Sequence, residues 1–274
     1  MLKQRIITAS ILFVLFLAAL FGLPAWGWVL LVLAVVGQGA VEWARLSGLS
    51  GGPAKAYWLF SLALMAAMVL LDQLLPQEVQ TWLHLACYIP AVMFWVFVVP
   101  AWLISGWQPK NIWFKAVTGW AVLLPTGLAM LDLRAFSPLL LLFVMTVVMM
   151  ADISAYFAGK RFGKTKLAPA ISPGKTWEGV YGAMLGVALY VLAVWWLSGQ
   201  YKHYPVILGV ILTSWWWVAL SVIGDLFESA LKRQAGIKDS GALLPGHGGL
   251  LDRIDALTST LPFAGLWLIL QRLE

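Results

Sequence analysis

The chain has 274 residues, of which 62% are hydrophobic and 11% charged, with a net charge of +6 and a mean hydropathy of +0.87. A soluble domain carries about a quarter charged residues, so the composition excludes a soluble globular enzyme and points to an all-α, polytopic integral membrane helix bundle. Positive charge in such a chain reports topology rather than nucleic-acid binding. The single cysteine, Cys87, excludes a disulfide framework or a cysteine metal cage within one chain.

A membrane-spanning helix takes about 20 apolar residues. About nine windows of that kind fall at 6–23, 25–43, 56–75, 84–104, 113–132, 138–158, 177–198, 205–224 and 254–271. Lys3 and Arg5 precede the first window in the manner of a signal sequence. The run is as long as a span, however, and no small-x-small cleavage site follows it, so it is expected to be a retained helix. Gly22-Leu23-Pro24 is a tight turn that makes the first two spans an antiparallel hairpin. The glycine-serine linker "LSGLSGGPAK" separates the second span from the third. No internal repeat is visible. The whole chain, 1–274, reads as one membrane unit. Residues 1–135 supply the N-terminal helices, and 138–274 supply the C-terminal helices with two polar loops, 159–176 and 225–253.

The basic residues sort by loop parity. Arg134, Lys202 and Arg272 fall on one side, and the remaining fifteen of the 18 lysines and arginines fall on the other. The positive-inside rule then makes the N-terminus cytoplasmic and places both polar loops on the cytoplasmic face.

Asp152 lies in the sixth span, about 21 Å from that span's outer end at 1.5 Å per residue. An ionised carboxylate at that depth costs a few kcal/mol, so it needs a lysine, a metal or water as partner. The loop after it, "GKRFGKTKLAPAISPGKTWEG", carries Lys160, Lys164, Lys166 and Lys175. Positive-inside retention alone explains its charge, but not its richness in Gly, Ser, Thr and Pro. A P-loop is excluded. "PGKT" lacks the required glycine upstream, where Pro169 stands, and "GKRFGKT" is one residue too short. Glu178 falls in the first turn of the seventh span, where a negative charge is favoured, and Lys175 is its expected partner.

The eighth span is expected to continue as a helix through "DLFESALKR". Asp225, Glu228 and Ser229 then share one face. Asp225 reads equally as a salt-bridge partner of Lys232 or Arg233. Asp252 and Asp255 open the ninth span on one face, and Asp252 alone reads as a helix N-cap. Taken together, Asp152, Asp225, Asp239, Asp252 and Asp255 reach one membrane face. Such oxygen-rich clusters suit Mg²⁺, which shares its coordination with water and phosphate. "PGHGG" (245–249) is either an ordinary turn or a nest of backbone N–H groups for an anion. Lys232, Arg233, Lys238 and Arg253 surround it. Carboxylates, cations and a glycine nest are the parts of a metal–phosphate site, and a lipid phosphate explains why that site lies at headgroup depth.

"SALKRQAGIKDSGALLPGHGGLLDRID" (229–255) resembles the signature of the phosphatidate cytidylyltransferases, the CDP-diacylglycerol synthases. Ser229, Lys232, Arg233, Lys238, Asp239, His247, Gly248, Gly249, Asp252, Arg253 and Asp255 match it. "ADISAYFAGKRFGKTKLAPAISPGKTWEG" is similar to the family's second region, so the resemblance covers roughly residues 150–260. It implies transfer of a cytidylyl group from CTP to phosphatidate, with Mg²⁺ as cofactor and K⁺ as a second cation. It also implies a homodimer in the bacterial inner membrane, with the site facing the cytoplasm.

On that reading Asp225 and Asp252 hold Mg²⁺, with Asp239, Asp255 and Asp152 as further candidate ligands. Lys238, His247 and Arg253 join Asp225 and Asp252 as candidate catalytic residues, His247 as a donor to phosphate or as an orienting group. Ser229, Lys232, Arg233, Gly248, Gly249, Lys160, Lys164, Lys166 and Lys175 are candidate substrate-binding residues. Two rivals stay open. A CTP-using polyprenol kinase would phosphorylate an alcohol instead. A transporter would use Asp152 as its ion site, but it would carry charge in the spans rather than in two same-side loops.

Overall fold

The computed structural model describes residues 2–199, 204–243 and 248–273, and their side chains except at 2–9 and 204–206. The apolar runs are helices: α1 (Leu2–Gly22), α2 (Ala25–Ser47), α3 (Gly51–Leu74), α4 (Gln77–Met93), α5 (Val99–Ser105), α6 (Ile112–Phe136), α7 (Pro138–Phe162), α8 (Trp177–Leu197), α9 (Tyr204–Gln234) and α10 (Leu251–Gln271). A π turn, Phe94–Val98, joins α4 to α5 without a break, so the two form one span, Gln77–Ser105. Among the described residues, eight helices are long and apolar enough to cross a membrane by length and composition, and α1 contributes the shorter apolar stretch Ser10–Gly22. The expected all-α polytopic membrane architecture is therefore observed.

One part of the chain departs from it. The loop 159–176 contains a two-stranded antiparallel hairpin, β1 (Lys166–Ala168) and β2 (Ser172–Thr176), with Lys166 opposite Thr176 and Ala168 opposite Ser172. Strands of three and five residues broken by proline and glycine show no alternation, so they carry no period-two signal.

The bundle is organised around α6 and α10, its most buried spans. α10 packs on α4, α6, α7 and α9, while α2 packs on α3 and α6. Lipid tails are as apolar as leucine, so helices in a membrane associate through close packing of small residues rather than by excluding water. The α7–α8 contact follows that rule. A Cβ added at Gly182 would overlap Ala158, and one added at Gly186 would overlap Ser154. The same holds between α9 and α10, where a Cβ on Gly224 would lie 2.5 Å from Ser259 Oγ and 2.7 Å from the Asp255 carbonyl. These close approaches bring the polar ends of α7, α8, α9 and α10 together.

At the opposite end of the bundle, Arg134 donates to the carbonyls of Leu20 and Leu23, closing the α1–α2 turn. Nearby, His84 lies between Asp72 (3.1 Å) and Asp132 (3.0 Å), and Tyr88 donates to Asp132 across 2.6 Å.

Candidate active site

The ends of α7, α8, α9 and α10, with the hairpin, enclose a cavity of about 560 Å³. Its polar lining includes Asp152 and Lys160 from α7, Lys175 from β2, Asp225 from α9, and Asp252, Arg253 and Asp255 from α10. Ala151, Ala155, Val180, Ala183 and Val222 continue the wall as an apolar surface. The cavity is therefore amphipathic, its wall combining charged groups with small aliphatic side chains.

Local structure positions each group. Thr176 caps α8 by accepting from Gly179 N at 3.1 Å. Trp177 N donates to the Thr165 carbonyl at 3.0 Å, and Glu178 accepts from Thr165 N at 3.1 and 3.2 Å. These contacts tie both ends of the hairpin to the start of α8. The expected Lys175–Glu178 pair does not form. Glu178 is turned toward the Thr165 amide, and Lys175 reaches across to Asp225 at 2.7 Å. The other oxygen of Asp225 accepts from Ser229 Oγ at 3.2 Å, as expected for i, i+4 neighbours on one helix face. The alternative pairing of Asp225 with Lys232 or Arg233 is not formed either. Lys232 instead bridges Glu228 (3.2 Å) and Asp252 (2.6 Å).

Asp252 is the organising acid of the signature loop. Its Oδ1 accepts from Lys232, and its Oδ2 accepts from Ser240 N (2.9 Å), Ser240 Oγ (3.0 Å) and Gly249 N (2.8 Å). It stands one residue inside α10, whose N-cap position is Leu250, so it anchors the loop from within the first helical turn. Gly248 has φ +84°, a left-handed conformation open to glycine, and this turns the chain into that contact. The N–H of Gly249, counted among the expected nest donors, points at Asp252.

The remaining expected residues spread around this centre. Lys160 and Arg253 line the cavity, whereas Lys164, Lys166, Arg233, Lys238 and Asp239 are exposed and do not line it. His247 lies outside the described residues.

Asp152, Asp225 and Asp255 line the same cavity, and the charges of Asp152 and Asp225 both repel that of Asp255. Among the described residues, no three carboxylate, histidine or cysteine side chains converge closely enough to hold an ion alone. This donor set is all oxygen and incomplete. It fits a hard divalent cation that takes one or two protein carboxylates and completes its shell with water and phosphate oxygens.

Sequence reasoning missed one residue here. Glu42 on α2 is 2% exposed and accepts from Leu250 N, Leu251 N and Ser240 Oγ of the signature loop, each at 2.8 Å. A glutamate inside an apolar span was itself the available signal, because intramembrane ionisable residues mark function by default.

Fold and site together define a polytopic membrane protein whose polar cavity, built of carboxylates and lysines, opens where four helices end. The chain belongs to the Cytidylyltransferase family, whose model matches residues 3–270, and it is thereby a nucleotidyltransferase. It is 42% identical to the phosphatidate cytidylyltransferase of Pseudomonas aeruginosa, over 97% of each chain. It is 35% identical to that of Haemophilus influenzae over 96% of this chain and 97% of the other. With that of Thermotoga maritima it shares 39% identity over 167 residues, 58% of this chain and 62% of the other.

Proposed function

We propose that this chain is a phosphatidate cytidylyltransferase, transferring a cytidylyl group from CTP to phosphatidate in phospholipid biosynthesis. The observation that carries this reading is the amphipathic cavity. Its carboxylates and Lys175 suit a metal-bound polyphosphate, and its aliphatic wall suits the glycerolipid side of a lipid phosphate. The names of the full-length relatives support the same substrates.

The phosphatidate phosphate is already an anionic nucleophile. One of its oxygens attacks the α-phosphorus of CTP in line, the bond to the β-phosphate oxygen breaks, and pyrophosphate leaves. The chief obstacle is repulsion between two polyanions. Lys175, Lys160 and Arg253 counter it from the cavity wall by screening phosphoryl oxygens. Asp225 and Asp152, with Asp255 beside them, would hold Mg²⁺, which when bound would supply charge neutralisation at those oxygens. Asp252 and Lys232 fix the loop at Ser240 and Gly249, next to Lys238 and Asp239. Lys164, Lys166, Arg233 and Lys238 are exposed, and their positive charge attracts anionic substrates.

The positive-inside pattern supports a site facing the cytoplasm of a bacterial inner membrane, where CTP is available. We extend the proposal to K⁺ as a second cation and to a homodimer, as the family resemblance implies.

Purified protein supplied with CTP, phosphatidate and Mg²⁺ is expected to release pyrophosphate, and omission of any one of the three should stop it. Pyrophosphate release without phosphatidate would contradict lipid phosphate as the acceptor.

A further inference from the structure

Glu42 lies near the end of α2, in the half of the chain that lacks the signature, and it does not line the cavity. A buried carboxylate in an apolar span is costly unless hydrogen bonds satisfy it. Four donors converge on this one. Gln38 Nε2 (2.8 Å) and Leu250 N (2.8 Å) bind Oε1, while Ser240 Oγ (2.8 Å) and Leu251 N (2.8 Å) bind Oε2. Three of the four come from the signature loop and the first turn of α10.

The arrangement does what a local cap does elsewhere. α10 has no side-chain cap of its own, yet the first N–H groups of a helix need acceptors, and a negative charge is favoured there. Glu42 supplies both from another helix. The loop is moulded to it. A Cβ at Gly241 would lie 2.9 Å from Glu42 Oε1, and one at Gly249 would overlap Glu42 and Ser240. Ser240, fully buried, stands between Glu42 Oε2 and Asp252 Oδ2 at 2.8 and 3.0 Å. A hydroxyl has one proton to donate, so the two carboxylates share it.

We propose that Glu42 is a positioning residue for cytidylyl transfer: its carboxylate clamps Ser240 and residues 250–251 onto α2 and so sets Asp252 and its neighbours in register with the cavity. This inference rests on the function proposed above. Glu42 touches no reacting atom, and its effect travels through the loop.

The test combines kinetics with amide hydrogen exchange on detergent-purified Glu42→Gln and Glu42→Asp. Glu42→Gln keeps the size but turns an amide N–H₂ toward donors. Its kcat is expected to fall on the order of 10²-fold, the scale of a small misplacement of reacting groups, with KM for CTP little changed. Exchange at Leu250 and Leu251 should accelerate. Glu42→Asp, still an acceptor, should recover part of the activity. Gln38→Ala leaves the three loop donors in place and should remain near wild type.

A Glu42→Gln enzyme with wild-type kcat and unchanged exchange overturns the proposal. So does one that only melts earlier while kcat per folded molecule is kept. If neither Glu42 variant folds, Ser240→Ala cuts the clamp from the loop side, and unchanged kcat together with unchanged exchange there overturns it equally. Exchange at 250 and 251 does not depend on chemistry. A wild-type chain inactive on CTP and phosphatidate would therefore refute the functional reading while exchange still decides the clamp.

Discussion

Lys175 on the second hairpin strand and Asp225 on α9 meet at 2.7 Å in the wall of the cavity. The contact joins the two polar loops, which two apolar spans, 177–198 and 205–224, separate in the sequence. Both side chains are partly exposed, at 24% and 32%, so the pair contributes little to stability and remains accessible to ligands. Its significance is chemical, since it sets a cation and a carboxylate side by side in the wall of the cavity where the proposed reaction would hold a phosphate.

Replacing Lys175 by Ala removes that cation from the cavity wall. Loss of a preorganised electrostatic donor costs on the order of 10²-fold in rate, so kcat/KM for CTP should drop by about that factor. Lys175→Arg should retain part of the activity. Steady-state pyrophosphate release in mixed micelles measures both, and unchanged kinetics in Lys175→Ala would remove this side chain from the reaction.

Asp252→Asn should abolish CTP- and phosphatidate-dependent pyrophosphate release in folded protein, and Asp225→Asn should behave likewise. At Asp252 the amide cannot accept from Lys232, Ser240 and Gly249 together. Leaving buried donors unpaired costs about 1–3 kcal/mol each, so the thermal unfolding midpoint of Asp252→Asn should fall as well. Near-normal turnover in either variant would exclude that residue from the site.

Gly224→Ala forces a methyl group against Ser259 and the Asp255 backbone. Overpacking of this kind costs about 1–3 kcal/mol. A lowered unfolding midpoint in detergent, together with reduced activity, is expected because α9 and α10 both carry site residues. Gly209→Ala on the same helix meets nothing within 4 Å and should match wild type.

Chelation of divalent cations should remove activity, and Mg²⁺ should restore it. The all-oxygen lining suits a hard cation, so restoration should not require a transition metal. Full activity in chelator would show that Asp152, Asp225 and Asp255 serve another purpose.

Much of this was legible in the sequence. The spans announced themselves as uninterrupted apolar runs, and the polar loops stood out because the rest of the chain is so apolar. Asp225, Ser229 and Glu228 were placed correctly on one face because helix spacing is a local rule. What the sequence hid was long-range. Glu42 meets Ser240 across 198 positions, and no periodicity links them. Glu178 stands three residues from Lys175 in sequence, yet it turns to the Thr165 amide while Lys175 pairs with the distant Asp225. The hairpin escaped notice because its strands are too short to alternate. Asp252 matched both a cap and a ligand in sequence, and its contacts with Ser240, Gly249 and Lys232 made it the anchor of the loop.

The most direct test follows the label from CTP. Protein in phosphatidate-containing micelles is supplied with CTP labelled at either the α- or the γ-phosphate, and the lipid fraction is then extracted. Cytidylyl transfer puts α-label into lipid and leaves γ-label in pyrophosphate. Lipid that gains γ-label and no α-label would mark the chain as a CTP-dependent lipid kinase and contradict the proposed reaction.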